Sequence, residues 1–302
     1  MSTFFDYLIF PGFLFSAVFG MLAVYIDRKV SARVQWRKGP PLLQPVYDFV
    51  KLLGKEISVP EQTSVFTFLS APVFGLAAIT LVSVIVWNAM LVPGKTFIGD
   101  LIVVIYLLAI PSIAVIIGGF ASNNPIASIG ASREMKLILS YEIPFILSIL
   151  TVIIKTGSIR MGDIVTYQLA NPAVITSASG IIAFIVAILC IQAKLCLTPF
   201  DIPEAEQEII AGPAVEYSGT PLAIFKLTKW IMLFVLPSFL VALFMPSADF
   251  LYNLLKFAGV LVIIILIKNT NPRLRIDQAV KFFWTYGAGL SLIAVILALI
   301  GL

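Results

Sequence analysis

The chain alternates between long apolar segments and short polar connections. Eight segments of about 20 predominantly apolar residues occur, the length that a helix needs to cross the hydrocarbon core of a bilayer. Pro-Gly and Asn-Pro steps fall in several connections and are typical of helix ends. The predicted spans are residues 4–26, 66–90, 101–120, 134–155, 176–197, 222–244, 250–267 and 280–301.

This pattern predicts an all-α fold, a polytopic membrane helical bundle of about eight transmembrane helices. In lipid every backbone polar group must be paired within the protein, and helices achieve this segment by segment. We expect residues 1–302 to form a single transmembrane domain. No internal repeat is evident, which disfavours a secondary transporter built from two related halves.

The connection after the first span contains a shorter amphipathic segment at about residues 45–57. Val46, Phe49, Val50 and Leu53 recur at helical spacing, and charged side chains fall on the opposite face. Such a helix lies in the membrane interface. It could serve only as an anchor along the bilayer surface, or as a platform on which a soluble subunit docks.

Composition narrows the function further. Hydrophobic residues make up 60% of the chain and charged residues 12%, against about 25% charged in a soluble domain, which excludes a soluble globular enzyme. The chain has no His, and its two cysteines, Cys190 and Cys196, are too few for an iron–sulfur cluster. We therefore expect no cofactor and no metal in this chain.

Positive charge is distributed unequally between the connections. Those after spans two, four and six contain only Lys95 and Arg160. This bias predicts a multi-pass protein of the cell membrane with both termini outside, and binding of nucleic acid is not expected. The connections after spans one, three, five and seven, predicted to be cytoplasmic, carry Arg28, Lys29, Arg33, Arg37, Lys38, Lys51, Lys55, Arg133, Arg273 and Arg275.

Glu142 is an ionisable residue inside the fourth span, about 12 Å along the helix from the predicted cytoplasmic end of that span. A charge at that depth is energetically costly and by default indicates a functional site. Pro144 removes one backbone hydrogen bond nearby, which favours a small hydrated pocket. The alternative is a structural role in which Glu142 pairs with a lysine and holds two helices together.

The connection after the fifth span is strongly acidic and contains no Lys or Arg. Asp201 and Glu204 could instead cap a short helix, but capping does not account for the other acids. Closely spaced carboxylates raise one another's pKa values, so this cluster suits proton storage and relay, or a field that senses a nearby change of charge. A solvated acidic loop is the alternative. The acids are Asp201, Glu204, Glu206, Glu208 and Glu216.

Several motifs together resemble the H subunit of respiratory complex I and its relatives in membrane-bound group 4 nickel–iron hydrogenases. The resemblance extends over essentially the whole length. The motifs are DRKVSARVQWRKGP at 27–40, ASNN at 121–124, SYE at 140–142, PFDIPEAE at 199–206 and PRLRIDQ at 272–278.

The resemblance implies that this chain joins an electron-transferring soluble arm to an ion-pumping membrane arm. It implies a coupling role for Glu142 and for the five acids of the loop. It also implies that iron–sulfur clusters, and a nickel–iron or sulfur-reducing centre, belong to partner subunits. The implied partners are hydrogenase-like large and small subunits, an iron–sulfur protein and antiporter-like membrane subunits. Residues expected at the soluble-arm interface are Arg28, Lys29, Arg33, Arg37, Arg133, Arg273 and Arg275.

Departures from the complex I pattern favour the hydrogenase lineage. Lys194 and Lys229 stand where complex I has acids, which predicts a mixed lysine and glutamate relay and disfavours a quinone site. The Gly-Pro-rich loop after the first span is also shortened, as in the hydrogenases. We therefore expect the membrane anchor and coupling subunit of a ferredoxin-dependent, hydrogenase-like or sulfur-reducing complex, a non-catalytic subunit that couples electron transfer to H⁺ or Na⁺ movement. The alternatives are the H subunit of a quinone-reducing complex I relative and a stand-alone ion transporter.

Overall fold

The computed structural model describes residues 2–61 and 63–302, and at residues 2–4 and 206 it describes the backbone alone. The helices within those ranges are α1 (Ser2–Leu8), α2 (Phe13–Val34), α3 (Gln44–Leu53), α4 (Val65–Leu91), α5 (Asp100–Ala121), α6 (Pro125–Thr156), α7 (Met161–Ala170), α8 (Ala178–Lys194), α9 (Glu206–Ile209), α10 (Gly219–Phe244), α11 (Phe250–Thr270), α12 (Ile276–Phe282) and α13 (Ala288–Ile300).

The predicted all-α membrane bundle is confirmed. Seven helical stretches in the described ranges are long and apolar enough to cross a membrane, and α8 is a shorter apolar helix of 17 residues. Because α8 rises only about 26 Å, it is slightly shorter than the ~30 Å hydrocarbon core. A π-helical turn at Phe283–Gly287 joins α12 to α13 into one stretch.

Helix α10 lies at the centre of the bundle. In its most apolar 18-residue stretch, 94% of the residues are buried, against 28% for the stretch formed by α12 and α13. Helix α2 approaches α10 closely at Gly20, where a Cβ atom would lie 2.7 Å from the carbonyl oxygen of Trp230. The rings of Phe15, Trp87 and Phe234 pack together beside this contact. The core is therefore built around a helix that makes little contact with lipid.

Helix α3 follows α2 and packs against α2 and α10. Pro45 and Leu52 are buried, and the ring of Phe49 lies 6.4 Å from that of Trp230. The apolar side chains of Val46 and Val50 remain exposed, as an amphipathic helix at a bilayer surface requires. The helix ends before Gly54, so residues 54–57 are not part of it.

Contacts distant in sequence place two sets of connections at opposite ends of the bundle. At one end Arg160 donates hydrogen bonds to the hydroxyl and carbonyl of Thr96, and the backbone N–H of Met161 donates to buried Asp100. At the other end the connection between α8 and α10, residues 195–218, packs on the start of α6. We call this connection the acidic loop and that end of the bundle the acidic-loop end.

Candidate functional site

The acidic loop packs closely against α4 and α6 of the bundle. It contains two short 3₁₀ turns, Ile202–Glu204 and Gly212–Ala214, on either side of α9. A Cβ atom on Gly130 of α6 would lie 2.6 Å from Cδ of Pro213, so only glycine allows this approach. Tyr217 stacks on Phe68 and donates a hydrogen bond to the carbonyl of Phe68, and burial raises the pKa of the Tyr217 hydroxyl. The loop therefore has defined packing contacts with α4 and α6.

Acids of the loop are paired with groups from other parts of the chain. Asp201 forms an ion pair with Arg273, with 2.8 Å between Oδ2 and Nε. Glu208 forms one with Arg133, with 2.6 Å between Oε2 and Nη1. The Lys229 ammonium contacts the Glu204 carboxylate, and the Asn124 amide donates to Glu216.

These contacts correct two interpretations of the isolated loop: that its acids are only solvated, and that Asp201 caps a short helix. The loop contains no basic residue, yet α6, α10 and the segment before α12 supply Arg133, Lys229 and Arg273. The carboxylate of Asp201 makes no capping hydrogen bond to the turn Ile202–Glu204 and is paired with Arg273 instead. The side chain of Glu206 lies outside the described part of the structure.

Glu142 lies on α6 and is paired with Lys194, the last residue of α8, at an Nζ–Oε1 distance of 2.7 Å. The Lys194 side chain is fully buried, and 19% of the Glu142 side chain is exposed. The Lys194 ammonium also lies 5.1 Å from the ring centroids of both Tyr141 and Phe145. These rings add cation–π stabilisation to the ion pair. Both the relay and the structural interpretation of Glu142 stay open, because the pair serves either.

Glu134 is a further buried acid of α6 that the sequence motifs do not single out. It is 2% exposed, and its carboxylate accepts a hydrogen bond from the thiol of Cys196 with a sulfur–oxygen distance of 3.1 Å. Hydropathy places residue 134 at the start of a span, a position at the membrane boundary where charged side chains are common. Helix α6 begins nine residues earlier, at Pro125, so Glu134 lies within the helix. The Asn-Pro step at 124–125 is the sequence signal for this earlier start.

A cavity of about 590 Å³ lies between the acidic loop and helices α2, α5, α6, α8 and α10. Its buried part is lined by Glu134, Lys194 and Cys196, and Glu204 and Lys229 line it nearby. This volume is within the range of small-molecule sites. Among the described residues, no three His, Cys, Asp or Glu side chains group closely enough to hold a metal ion.

Four of the seven residues expected at a soluble-arm interface make contacts within the chain. Arg28 pairs with Asp48 of α3 at 2.7 Å and holds the pKa of that carboxyl below its ordinary value, and Lys29 lies 5.9 Å from the Tyr25 ring. Arg133 and Arg273 bind the acids named above.

The other three expected interface residues, Arg33, Arg37 and Arg275, form no ion pair with described residues. Arg33 and Arg37 are exposed, and beside Arg37 the side chain of Trp36 is 97% exposed. The connection after α2 therefore presents two free guanidinium groups around an indole, a combination enriched at protein interfaces.

The sequence profile of NADH dehydrogenase matches residues 8–299. The chain belongs to the family of complex I H subunits. It is 34% identical to the H subunit of NADH-quinone oxidoreductase from Bacillus cytotoxicus, over 94% of this chain and 90% of the relative. It is 35% identical to the equivalent protein of Brevibacillus brevis, over 90% of this chain and 85% of the relative.

Among solved structures, the fold matches a chain of the membrane-bound sulfane sulfur reductase, an archaeal respiratory membrane complex. The TM-score is 0.89 at 29% identity, over 99% of this chain and 100% of that chain. The resemblance inferred from the motifs is thereby confirmed. The protein is a multi-pass membrane H subunit of a complex I-like respiratory complex.

Proposed function

We propose that this protein is the membrane anchor and coupling subunit of a ferredoxin-dependent complex of the hydrogenase-like or sulfur-reducing type. In this proposal electrons stay in soluble partners, whose iron–sulfur clusters and nickel–iron or sulfur-reducing centre perform the redox chemistry. The membrane protein converts that event into movement of H⁺ or Na⁺ through antiporter-like membrane partners.

The observation that carries the coupling role is a series of ionisable groups that runs from the loop into the bundle. Glu208 lies at the surface beside Arg133. Asp201 is largely buried beside Arg273, and Glu204 with Lys229 lines the cavity. Glu134 follows within α6, and Glu142 lies two helical turns further along, about 12 Å away. Ionisable groups within membrane helices mark ion paths because their burial is otherwise too costly to retain.

The type of complex is supported by two features of the chain. The match to the sulfane sulfur reductase chain covers that chain completely, whereas the quinone-type relatives extend beyond the match. Lys194 and Lys229 also form ion pairs with Glu142 and Glu204, so the predicted mixture of lysine and glutamate exists as paired contacts. A displaced charge on either partner would shift the proton affinity of the other.

Orientation and partners follow from the same proposal. The acidic-loop end, where Arg33, Arg37 and Arg275 are exposed, faces the cytoplasm. It receives the hydrogenase-like large and small subunits and their iron–sulfur protein. Both termini then lie outside the cell. Long arginine side chains suit two-point contacts with partner carboxylates.

Purification of the intact complex in mild detergent tests the proposal. We expect soluble subunits with iron–sulfur clusters to co-purify and the reconstituted complex to build an ion gradient in liposomes when fed reduced ferredoxin. A large subunit with two Cys-x-x-Cys pairs would indicate nickel and a hydrogenase, and sulfide output from polysulfide would indicate the sulfur-reducing type. Ion transport by this chain alone in liposomes would instead show a stand-alone transporter.

A quinone-reducing complex is the second candidate, and one observation favours it. The NADH-quinone oxidoreductase relatives have 34–35% identity, above the 29% of the sulfane sulfur reductase chain. Reduction of added menaquinone or ubiquinone by the purified complex, with no activity toward protons or polysulfide, would establish this alternative.

A further inference from the structure

Two neighbouring helices depart from regular α-helical hydrogen bonding at the same depth. The stretch Ile276–Ile300 is interrupted by the π-helical turn Phe283–Gly287, and π-turns occur mainly at bends and functional sites. Helix α6 contains Pro144, which leaves the carbonyl of Ser140 without its backbone donor. The two irregular points face each other, because a Cβ atom on buried Gly287 would lie only 3.3 Å from Cγ of Pro144.

On one side of this level, α12 is attached to the acidic loop. The backbone N–H of Leu274, just before α12, donates to the carbonyl of Pro199 at 3.1 Å, and Arg273 contributes the ion pair described above. The ring of Phe200 in the loop lies 4.8 Å from the ring of Phe283 in the π-turn. A displacement of the acidic loop therefore carries α12 with it.

On the other side of this level, α13 is attached to the bundle. It packs against α6 and α8, and the hydroxyl of Ser179 in α8 donates to the carbonyl of Leu302, just beyond α13. Helix α6 also has an end that belongs to the loop, since Gly130 and Arg133, both before Pro144, contact loop residues. The stretch of α12 and α13 thus has its two ends attached to different parts of the molecule, with the π-turn between them.

We propose that the π-turn and Pro144 form a hinge, at which movement of the acidic loop tilts α12 and the first part of α6 against α13. Hinges are a few residues at the ends of elements that absorb changes in backbone dihedral angles, and the π-turn lies between two helix ends. Glu142 lies on the tilting part, two residues before Pro144, whereas Lys194 lies on α8, so tilting changes the length of their ion pair. This consequence for coupling rests on the proposed function, but the hinge itself does not.

Distances between spin labels in the intact complex measure the tilt. One pair joins Asp277→Cys in α12 to Lys51→Cys in α3, and the reference pair joins Thr270→Cys in α11 to the same Lys51→Cys; all three positions are exposed. Asp201→Asn removes the ion pair with Arg273 and so loosens the loop from α12. A tilt of about 20° over the roughly 12 Å between the π-turn and residue 277 displaces that residue by about 4 Å, so we expect a shift of up to that size in the first pair and none in the reference pair.

Two glycines of the same stretch provide a matched pair of variants. Gly287→Ala adds a methyl group that fills the hinge against Pro144, and Gly289→Ala adds the same methyl group where no atom lies within 4 Å. We expect Gly287→Ala to abolish the shift and Gly289→Ala to keep it. Should Asp201→Asn fail to assemble, Phe200→Leu takes its place, because it weakens the ring contact with Phe283.

The absence of a shift in the first pair, or an equal shift in the two glycine variants, would overturn the hinge. Under the proposed function, Gly287→Ala should also lower the number of ions moved per electron while electron transfer is retained. A wild-type complex that moves no ions would contradict the proposed function alone, because the distances between labels are measured independently of transport.

Discussion

Glu142 and Lys194 are the two residues at which a structural role and a relay role can be separated by experiment. Both groups are largely removed from water, and their partner contact is short and supported by two aromatic rings. A buried pair contributes little net stability compared with apolar residues of similar volume, but an unpaired member is strongly destabilising. The two residues should therefore behave very differently when changed singly and when changed together.

We predict that Glu142→Gln and Lys194→Met each lower the free energy of unfolding of the complex by about 3–5 kcal/mol, because each leaves an uncompensated buried charge. The double variant should recover most of that loss, since no charge remains. Thermal and denaturant unfolding of the four proteins measures this coupling. Additive losses in the double variant would mean that the two side chains do not form the pair in the membrane.

The same double variant separates relay from structure. If the pair relays protons, the stable double variant should keep electron transfer with artificial donors and lose ion pumping. If the pair only holds α6 to α8, the double variant should pump at the wild-type rate.

Glu134 carries the second prediction at this scale. Glutamine keeps the size of the side chain but cannot take or give a proton, so Glu134→Gln should sharply lower pumping in an assembled complex. Asp163→Asn is the control: the Asp163 side chain is 54% exposed at the opposite end of the bundle, and we expect pumping within about twofold of wild type. Liposome assays of both variants provide the measurement. A Glu134→Gln complex that pumps normally would remove Glu134 from the path.

At the scale of single elements, the connection after α2 differs from the rest of the acidic-loop end. Arg37 and Trp36 are exposed together with Arg33, whereas Arg133 and Arg273 are engaged with acids of the chain itself. Exposed arginine and tryptophan side chains carry much of the binding energy in protein interfaces. We therefore propose this connection as the attachment point of the soluble arm.

We predict that the double substitution Arg33→Glu and Arg37→Glu releases the soluble subunits while the membrane chain stays inserted, because like charges then face the partner carboxylates. Trp36→Ala should weaken co-purification in the same direction. Co-purification from detergent extracts is the measurement, with Lys281→Glu as the charge-reversal control at the same end of the bundle. Unchanged co-purification would leave these arginines as determinants of topology only.

Helix α3 should respond to pH through Asp48. Its folded-state pKa lies below the ordinary value because Arg28 donates a hydrogen bond to the carboxylate. A lowered folded-state pKa gives stabilisation that is present above the unfolded pKa and is lost as the pH falls through the folded one. Docking of α3 should thus hold near neutral pH and loosen below about pH 4.

Hydrogen–deuterium exchange of residues 44–53, corrected for the intrinsic effect of pH, measures that loosening. In Asp48→Asn the exchange should be faster already at neutral pH and should show no further transition on acidification. A wild-type transition that persists unchanged in Asp48→Asn would assign the effect to another group.

At the scale of the whole molecule, the unequal distribution of charge makes a prediction about orientation. Lys38 and Lys95 lie in connections at opposite ends of the bundle, so Lys38→Cys and Lys95→Cys should differ in their labelling by a membrane-impermeant thiol reagent in intact cells. We expect label at residue 95 and none at residue 38. The native Cys190 and Cys196 are buried and give little background. Equal labelling at both positions would contradict the proposed orientation.

Hydropathy alone was sufficient for the class of fold, because the cost of placing polar groups in lipid acts on each segment independently of its neighbours. The apolar segments led directly to a membrane bundle, and within the described part of the chain seven of them are helices long enough to span. The family could also be recognised, since its motifs are short and contiguous. Helix ends were less accessible: α6 begins at Pro125 rather than at residue 134, because polar residues continue the helix beyond the apolar segment.

Only the tertiary structure decided which charges meet. Glu142 and Lys194 are 52 residues apart, and Arg133 and Glu208 are 75 apart, so no local pattern relates them. Packing of α6 beside α8 brings the first pair together, and folding of the acidic loop onto α6 brings the second. An acidic loop that carries no basic residue of its own is therefore charge-paired in three dimensions, because ion pairing depends on distance in space rather than along the chain.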